Sequence, residues 1–269
     1  MAKRLAGRAC SVLAAIVATA GLGGCSWLGL GGEDSDETAY VERPVEVLYN
    51  RALDDLGAQD YKHAAKEFEE VDRQHPYSVW ATKAQIMAAF TYYQYNKYDD
   101  AIIALDRFIQ LHPGHRDIPY AYYLKGLCYY EQISDVGRDQ AVTQKALDAL
   151  SDVAKRFPNT AYARDARLKV ELTIDHLAGK EMEIGRYYQK QQQYVGAINR
   201  YRTVIERFQT TTHVPEALHR LVECYLALGV KSEAQETAAV LGHNFPGSDW
   251  YADSYYLMTG EDYRFESEK

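Results

Sequence analysis

Five times along this chain an alanine is followed twelve residues later by a helix-stopping position: Ala64 and Pro76, Ala101 and Pro113, Ala146 and Pro158, Ala197 and Gln209, Ala234 and Pro246. Proline lacks an amide donor and biases the residue before it away from helical angles, so most of these stops are set by local chemistry alone. Between alanine and stop the apolar positions share a face. Four residues after each alanine stand Phe68, Leu105, Leu150, Tyr201 and Ala238, and seven after it Val71, Phe108, Val153, Val204 and Leu241, the spacing of a buried helical stripe.

A second helix is implied upstream of each. Twelve residues before the alanines come Ala52, Ala89, Gly185 and Val222, with Gly126 in that role after an insertion of eight, and three residues further on come Asp55, Tyr92, Tyr129, Tyr188 and Tyr225. Paired helices approach closely only where a side chain is small, and bulky neighbours fill the space beside it. Small, aromatic, alanine, bulky, proline resembles the tetratricopeptide (TPR) signature of a helix-turn-helix unit. The expectation is an all-α fold: a TPR solenoid of about five helix-turn-helix repeats with a C-terminal capping helix. Residues 44–158 hold repeats one to three, and 159–269 hold repeats four and five with the capping helix. Thr160 is placed to cap an unusually long first helix of repeat four, EQISDVGRDQ (131–140) reads as a surface loop, and Ser248 is placed to cap the closing helix.

The N-terminus is different in kind. Lys3, Arg4 and Arg8 precede the apolar run CSVLAAIVATAGL (10–22), too short to span a bilayer, which then ends in Leu22-Gly23-Gly24-Cys25. That ending resembles the lipobox of bacterial lipoproteins, which makes 1–24 a signal peptide, Cys25 the lipidated residue and 25–43 a flexible tether. Ser26 rather than Asp after the cysteine implies the outer membrane. Removing Lys3, Arg4 and Arg8 from 30 basic residues leaves 27 against 38 acidic, a net charge of −11, which argues against nucleic acid as a partner.

Nothing in the chain has the spacing of a reaction centre. His112-Pro113-Gly114-His115 lacks a cysteine or carboxylate at ligand spacing, and no zincin pair, nucleophile elbow or phosphate loop occurs. The pairs Asp54-Asp55, Glu69-Glu70 and Asp99-Asp100 read as solvated charge. Cys128 and Cys224 share a station two repeats apart, too far for a disulfide, and read as packing residues. We therefore expect no cofactor, no metal and no enzymatic activity.

The informative constellation is the wall of first helices. In TPR arrays these line the concave face, with ligands met one and four residues after the small station and three before it. Repeats one to three hold Tyr49, Leu53, Leu56, Ile86, Phe90, Tyr93, Tyr123, Leu127 and Tyr130 there, all apolar or aromatic, while repeats four and five hold Met182, Arg186, Gln189, His219, Glu223 and Leu226. An apolar stripe on a face that faces water points to an apolar partner; the alternative is that superhelical twist or the long helix of repeat four buries it as core.

Residues 101–127, AIIALDRFIQLHPGHRDIPYAYYLKGL, resemble the family of outer-membrane protein assembly factor BamD, as do Arg138-Asp139 and the run Ala197 to Arg200 (AINR). The resemblance implies a lipid-anchored protein of the β-barrel assembly machinery on the periplasmic side of the outer membrane. It implies coupling to BamA periplasmic domains, contact with other Bam lipoproteins and recruitment of unfolded outer-membrane proteins through their C-terminal peptides. Asn199 and Arg200 are the residues it implies for BamA contact. The insertion SDVGRDQ departs from the acid- and arginine-rich loop typical of the family. A different periplasmic TPR lipoprotein, coordinating the cell envelope or division, would share the same fold.

Overall fold

The computed structural model describes residues 42–259. The signal segment 1–24, Cys25, the tether up to position 41 and positions 260–269 therefore lie outside the described residues. Within them the first helices of the pairs are α1 (Val45–Gly57), α3 (Val79–Gln94), α5 (Ile118–Tyr130), α7 (Ala161–Lys190) and α9 (Val214–Ala227). The second helices are α2 (Tyr61–Gln74), α4 (Tyr98–Leu111), α6 (Ala141–Arg156), α8 (Tyr194–Arg207) and α10 (Lys231–Asn244), and α11 (Asp249–Thr259) closes the stack. Each helix packs mainly on its neighbours in sequence, successive first helices touch from α1 to α7, and α11 rests on α9. This is the TPR solenoid of five pairs and a capping helix.

The recurring stations explain the packing. Ala64, Ala101, Ala146, Ala197 and Ala234 have no exposed surface, and neither do Phe68, Leu105, Leu150, Tyr201 or the set Val71, Phe108, Val153, Val204, Leu241. The small station sits directly against the bulky residue of its own pair. A Cβ added to Gly126 would lie 2.8 Å from Leu150 Cδ2, and one added to Gly185 would lie 2.4 Å from Tyr201 Cε1. Glycine is what lets these two helix pairs close.

Two features make the hairpins regular. Seven residues after the small station, Gln59, Asn96, Gln192 and Gly229 adopt positive φ of 62°, 59°, 58° and 77°. The next amides (Asp60, Lys97, Gln193, Val230) bond back to the carbonyls of Asp55, Tyr92, Tyr188 and Tyr225, each at 2.9 Å, the six-to-one bond of a Schellman stop. At the other end the helices finish on His75, His112, Phe157, Phe208 and Phe245, all with φ between −126° and −133° and ψ between 45° and 55°. Phe208 does this without a following proline. The stop is therefore also held by side-chain packing: Phe157 stacks 5.5 Å from Tyr122 and His112 lies 5.1 Å from Phe108.

Four helix starts are capped by a hydroxyl or carboxylate, whereas Asp117 before α5 makes no side-chain cap bond. Asp60, Ser78, Thr160 and Ser248 accept from the amides of His63, Ala81, Ala163 and Tyr251 at 3.2, 3.0, 3.1 and 3.2 Å. Thr160 opens the long helix α7 of 30 residues, and residues 131–140 form the loop between α5 and α6. The core is not continuous along α7. Ala166 and Val170 pack with Leu150, Val153 and Phe157, whereas Ala178 and Met182 join Tyr201, Leu218 and Leu241.

Candidate binding surface

The nine stripe residues of repeats one to three fall into three burial classes. Leu53 is exposed at 39%, Ile86 is buried at 8%, and Tyr49, Leu56, Phe90, Tyr93, Tyr123, Leu127 and Tyr130 are half-buried. Ile86 therefore serves the core of α3, α4 and α5 rather than the surface. Tyr49 stacks on Trp80 at 4.9 Å and meets Phe68 edge-on at 5.5 Å. Phe90 and Leu127 pack against the α3 to α5 core, and Tyr123 and Tyr130 against the core of α6 and α7.

Two tyrosines of this stripe, Tyr93 and Tyr123, have an apolar body and a polar tip held by an acidic partner. Tyr123 donates to Asp165 Oδ2 at 2.5 Å, Tyr93 reaches Glu131 Oε1 at 3.4 Å, and Lys169 Nζ stands 5.2 Å over the Tyr130 ring and 3.4 Å from Asp165. Tyr162 of α7 adds a ring 5.3 Å from Tyr123 and 5.6 Å from Tyr120. Burial, with the charge of Glu131 beside it, pushes the Tyr93 hydroxyl up to about 12, and burial does the same to Tyr120. These hydroxyls stay protonated donors at any physiological pH.

The same stations carry different chemistry in the last two repeats. Met182 has no exposed surface and His219 is 4% exposed, so both are structural. Arg186 Nη1 donates to both oxygens of Glu216 at 3.0 and 3.1 Å, Gln189 donates to Glu223 at 2.8 Å, and Arg220 Nη1 donates to Glu223 at 2.8 Å. His219 Nδ1 shares a hydrogen bond of 2.8 Å with Ser254 of α11, and its ring lies 5.3 Å from Trp250. Burial alone would push the Glu223 carboxyl up, but the donors His219, Arg220 and Gln189 overcome it and hold it at about 2. The ionic lattice links α7 to α9, and the His219–Ser254 bond ties α9 to α11.

Asn199 and Arg200 sit on α8, the second helix of the fourth pair. They line a shallow cavity of about 250 Å³ with Tyr188, Gly196 and Thr203. Arg200 Nη1 donates to Glu181 at 3.1 Å while its side chain stays 41% exposed, so the guanidinium is oriented and retains free donors. Asn199 is exposed.

Sequence reasoning missed the tips of the stripe. Asp165, Glu131 and Lys169 come from α7 and from the residue after α5, and only the folded stack brings them to the tyrosines. Cys128 and Cys224 are buried free thiols, which burial pushes up to about 12. No group of three or more metal-ligating side chains is present among the described residues, and no described helix is long and apolar enough to cross a membrane.

Comparison with known proteins gives one consistent set. A family model described as an outer membrane lipoprotein, YfiO, matches residues 41–241. Outer membrane protein assembly factor BamD of Caulobacter vibrioides is 50% identical over 252 residues, covering 94% of this chain and 81% of that protein. The protein of that name from Rickettsia prowazekii is 45% identical, covering 88% and 92% of the two chains, and that from Neisseria meningitidis serogroup A is 34% identical, covering 82% and 87%.

Proposed function

Because the chain belongs to the family of outer membrane protein assembly factor BamD, and so acts in outer-membrane protein assembly, we propose that it is the lipid-anchored receptor and scaffold of that process. Cys25 carries the acyl chains, the tether gives reach, and the helical stack faces the periplasm. One lipid chain holds a protein only marginally, so the anchor needs more than one.

The reading of the two halves rests on a single observation, the change of chemistry along the wall of first helices. Repeats one to three offer half-buried aromatic and aliphatic faces with Leu53 exposed, and repeats four and five offer an ionic lattice. The first surface suits an extended segment rich in aromatics, as in the C-terminal peptide of an unfolded outer-membrane protein. The second makes this half rigid, and on its second helix α8 Arg200 and Asn199 receive a periplasmic domain of BamA. Other Bam lipoproteins contact the remaining surface. The chain acts as a scaffold and not as an enzyme. A cell-envelope or division coordinator of the same fold is not favoured, given relatives 34 to 50% identical that are all assembly factors.

Photocrosslinking in cells tests both halves. A photoreactive residue at Leu53 is expected to capture C-terminal segments of nascent barrel proteins, and one at Asn199 is expected to capture BamA. Capture of septal or unrelated envelope proteins at both positions, with no barrel protein or BamA, refutes the assignment.

A further inference from the structure

On a different face of α3 from Phe90 and Tyr93, the residues Gln85, Ala88 and Tyr92 form the floor of a groove between α2 and α4. Its volume is about 190 Å³, below the roughly 300–1,000 Å³ of small-molecule pockets and suited to one side chain. Its apolar part is Phe68, which is fully buried, Ala88, which is 4% exposed, and a wall of Ala104 and the 68% exposed Ile103. The rim is acidic. Glu69 accepts from Tyr92 Oη at 2.5 Å, Asp72 is occupied by Gln85 at 2.7 Å and Arg107 at 3.1 Å, and Asp100 is exposed with no hydrogen bond or ion pair among the described residues.

The chain itself indicates what fills such a groove. In the next pair of repeats, Lys125 stands at the station of Ala88, one residue before the small position, and Asp106 stands at the station of Glu69, five residues after the alanine. There the lysine side chain is 26% exposed and its ammonium donates to Asp106 Oδ1 at 2.6 Å. In the last pair the same stations hold Leu221 and Arg202, and Leu221 is 3% exposed. Only the groove of α2, α3 and α4, among these three, combines the carboxylate of the lysine pair with an alanine where the lysine would be.

We propose that this groove is a docking slot for a lysine side chain of a partner polypeptide. The aliphatic stem lies along Ala88, Ala104 and Ile103, and the ammonium enters between Glu69 and Asp100, reproducing in trans the contact that Lys125 makes in cis. The slot is separate from the aromatic stripe, so failure of either leaves the other readable.

The test is zero-length carbodiimide coupling on the full lipidated chain in the complex extracted from membranes, with the joined peptides mapped by mass spectrometry. An isopeptide bond between Glu69 or Asp100 and a lysine of a different protein is expected. Ala88→Lys fills the slot from within and should lower that product about tenfold, the equivalent of roughly 1.4 kcal/mol, with helix content unchanged by circular dichroism. Should Ala88→Lys fold poorly, Asp100→Asn at the exposed rim serves instead, with a several-fold lower yield at Glu69 expected. The proposal is overturned if Glu69 and Asp100 stay uncoupled while other carboxylates react. It also fails if they join only lysines of this chain, or if the yield at Glu69 is the same in the wild type and both variants.

Discussion

Replacing Gly185 by alanine puts the helix-pairing argument at risk in one step. Alanine normally stabilises a helix interior by about 1 kcal/mol over glycine, so a surface view of α7 predicts a gain. The structure predicts a loss, because the new Cβ would sit 2.4, 2.8 and 2.9 Å from Tyr201 Cε1, Cδ1 and Cζ. Carbon atoms rest at about 3.5–4.0 Å, so the overlap is on the order of 1 Å. The ring has nowhere to go: it has no exposed surface, and its hydroxyl donates to Gln189 at 2.7 Å, which is itself bonded to Glu223 at 2.8 Å. Overpacking costs about 1–3 kcal/mol, and a rigid neighbour puts this site near the top of that range, so the net loss should be about 2 kcal/mol. The array supplies its own compensation, since repeat two pairs Ala89 with Leu105 at these stations. Gly185→Ala combined with Tyr201→Leu should therefore be more stable than the sum of the single changes by at least about 1 kcal/mol. Urea unfolding followed by circular dichroism measures this, with hydrogen exchange resolved to α7 and α8 because repeat arrays can open in segments. Gly57→Ala, where a Cβ meets nothing within 4 Å, is the control and should not destabilise. An unchanged or raised stability for Gly185→Ala, or strict additivity in the double variant, refutes the reasoning.

Three further outcomes follow from the geometry. Leu53→Asp should leave stability within about 0.5 kcal/mol yet weaken binding of an aromatic C-terminal peptide, whereas Phe90→Asp, which places a carboxylate against the α3 to α5 core, should lower both; a melting curve beside a fluorescence titration separates them. Glu223 has a folded value of about 2 against an ordinary 4.5, so its stabilisation is fully present above pH 4.5 and disappears as the pH falls toward 2. Allowing for partial exposure, Glu223→Gln should remove about 2 kcal/mol of that acid-sensitive stability, seen as a flatter unfolding curve against pH. The buried Cys128 and Cys224 thiols should resist a thiol reagent at pH 8 in the folded chain and react fully in urea.

What could be read from the sequence is what repeats. The alanine, bulky and small stations impose the helix pairs because each is a size constraint at one contact, and size is visible in the residue name. Thr160, Ser248 and the loop 131–140 were likewise legible from capping and turn chemistry. The left-handed hairpin residues were only partly so: Asn96 and Gly229 tolerate that conformation, but Gln59 and Gln192 adopt it because the surrounding stop forces them to. Phe208 shows the same for the second helix end, where packing does what proline does elsewhere. The stripe was legible as a register but not as a surface, since superhelical stacking decides that Ile86 and Met182 turn inward while Leu53 turns outward. The ionic lattice of Arg186, Glu216, Gln189 and Glu223 joins residues up to 34 positions apart, and nothing local marks those partners.

The division of core contacts along α7 has a mechanical consequence. At about 1.5 Å per residue its 30 residues form a rod of about 45 Å, gripped near one end by α6 and near the other by α8. A swing of 10° about the first grip at Ala166 would carry the far tip through about 6 Å. A load on one extremity is thus carried to the other as a displacement, with no hinge beyond the spine itself.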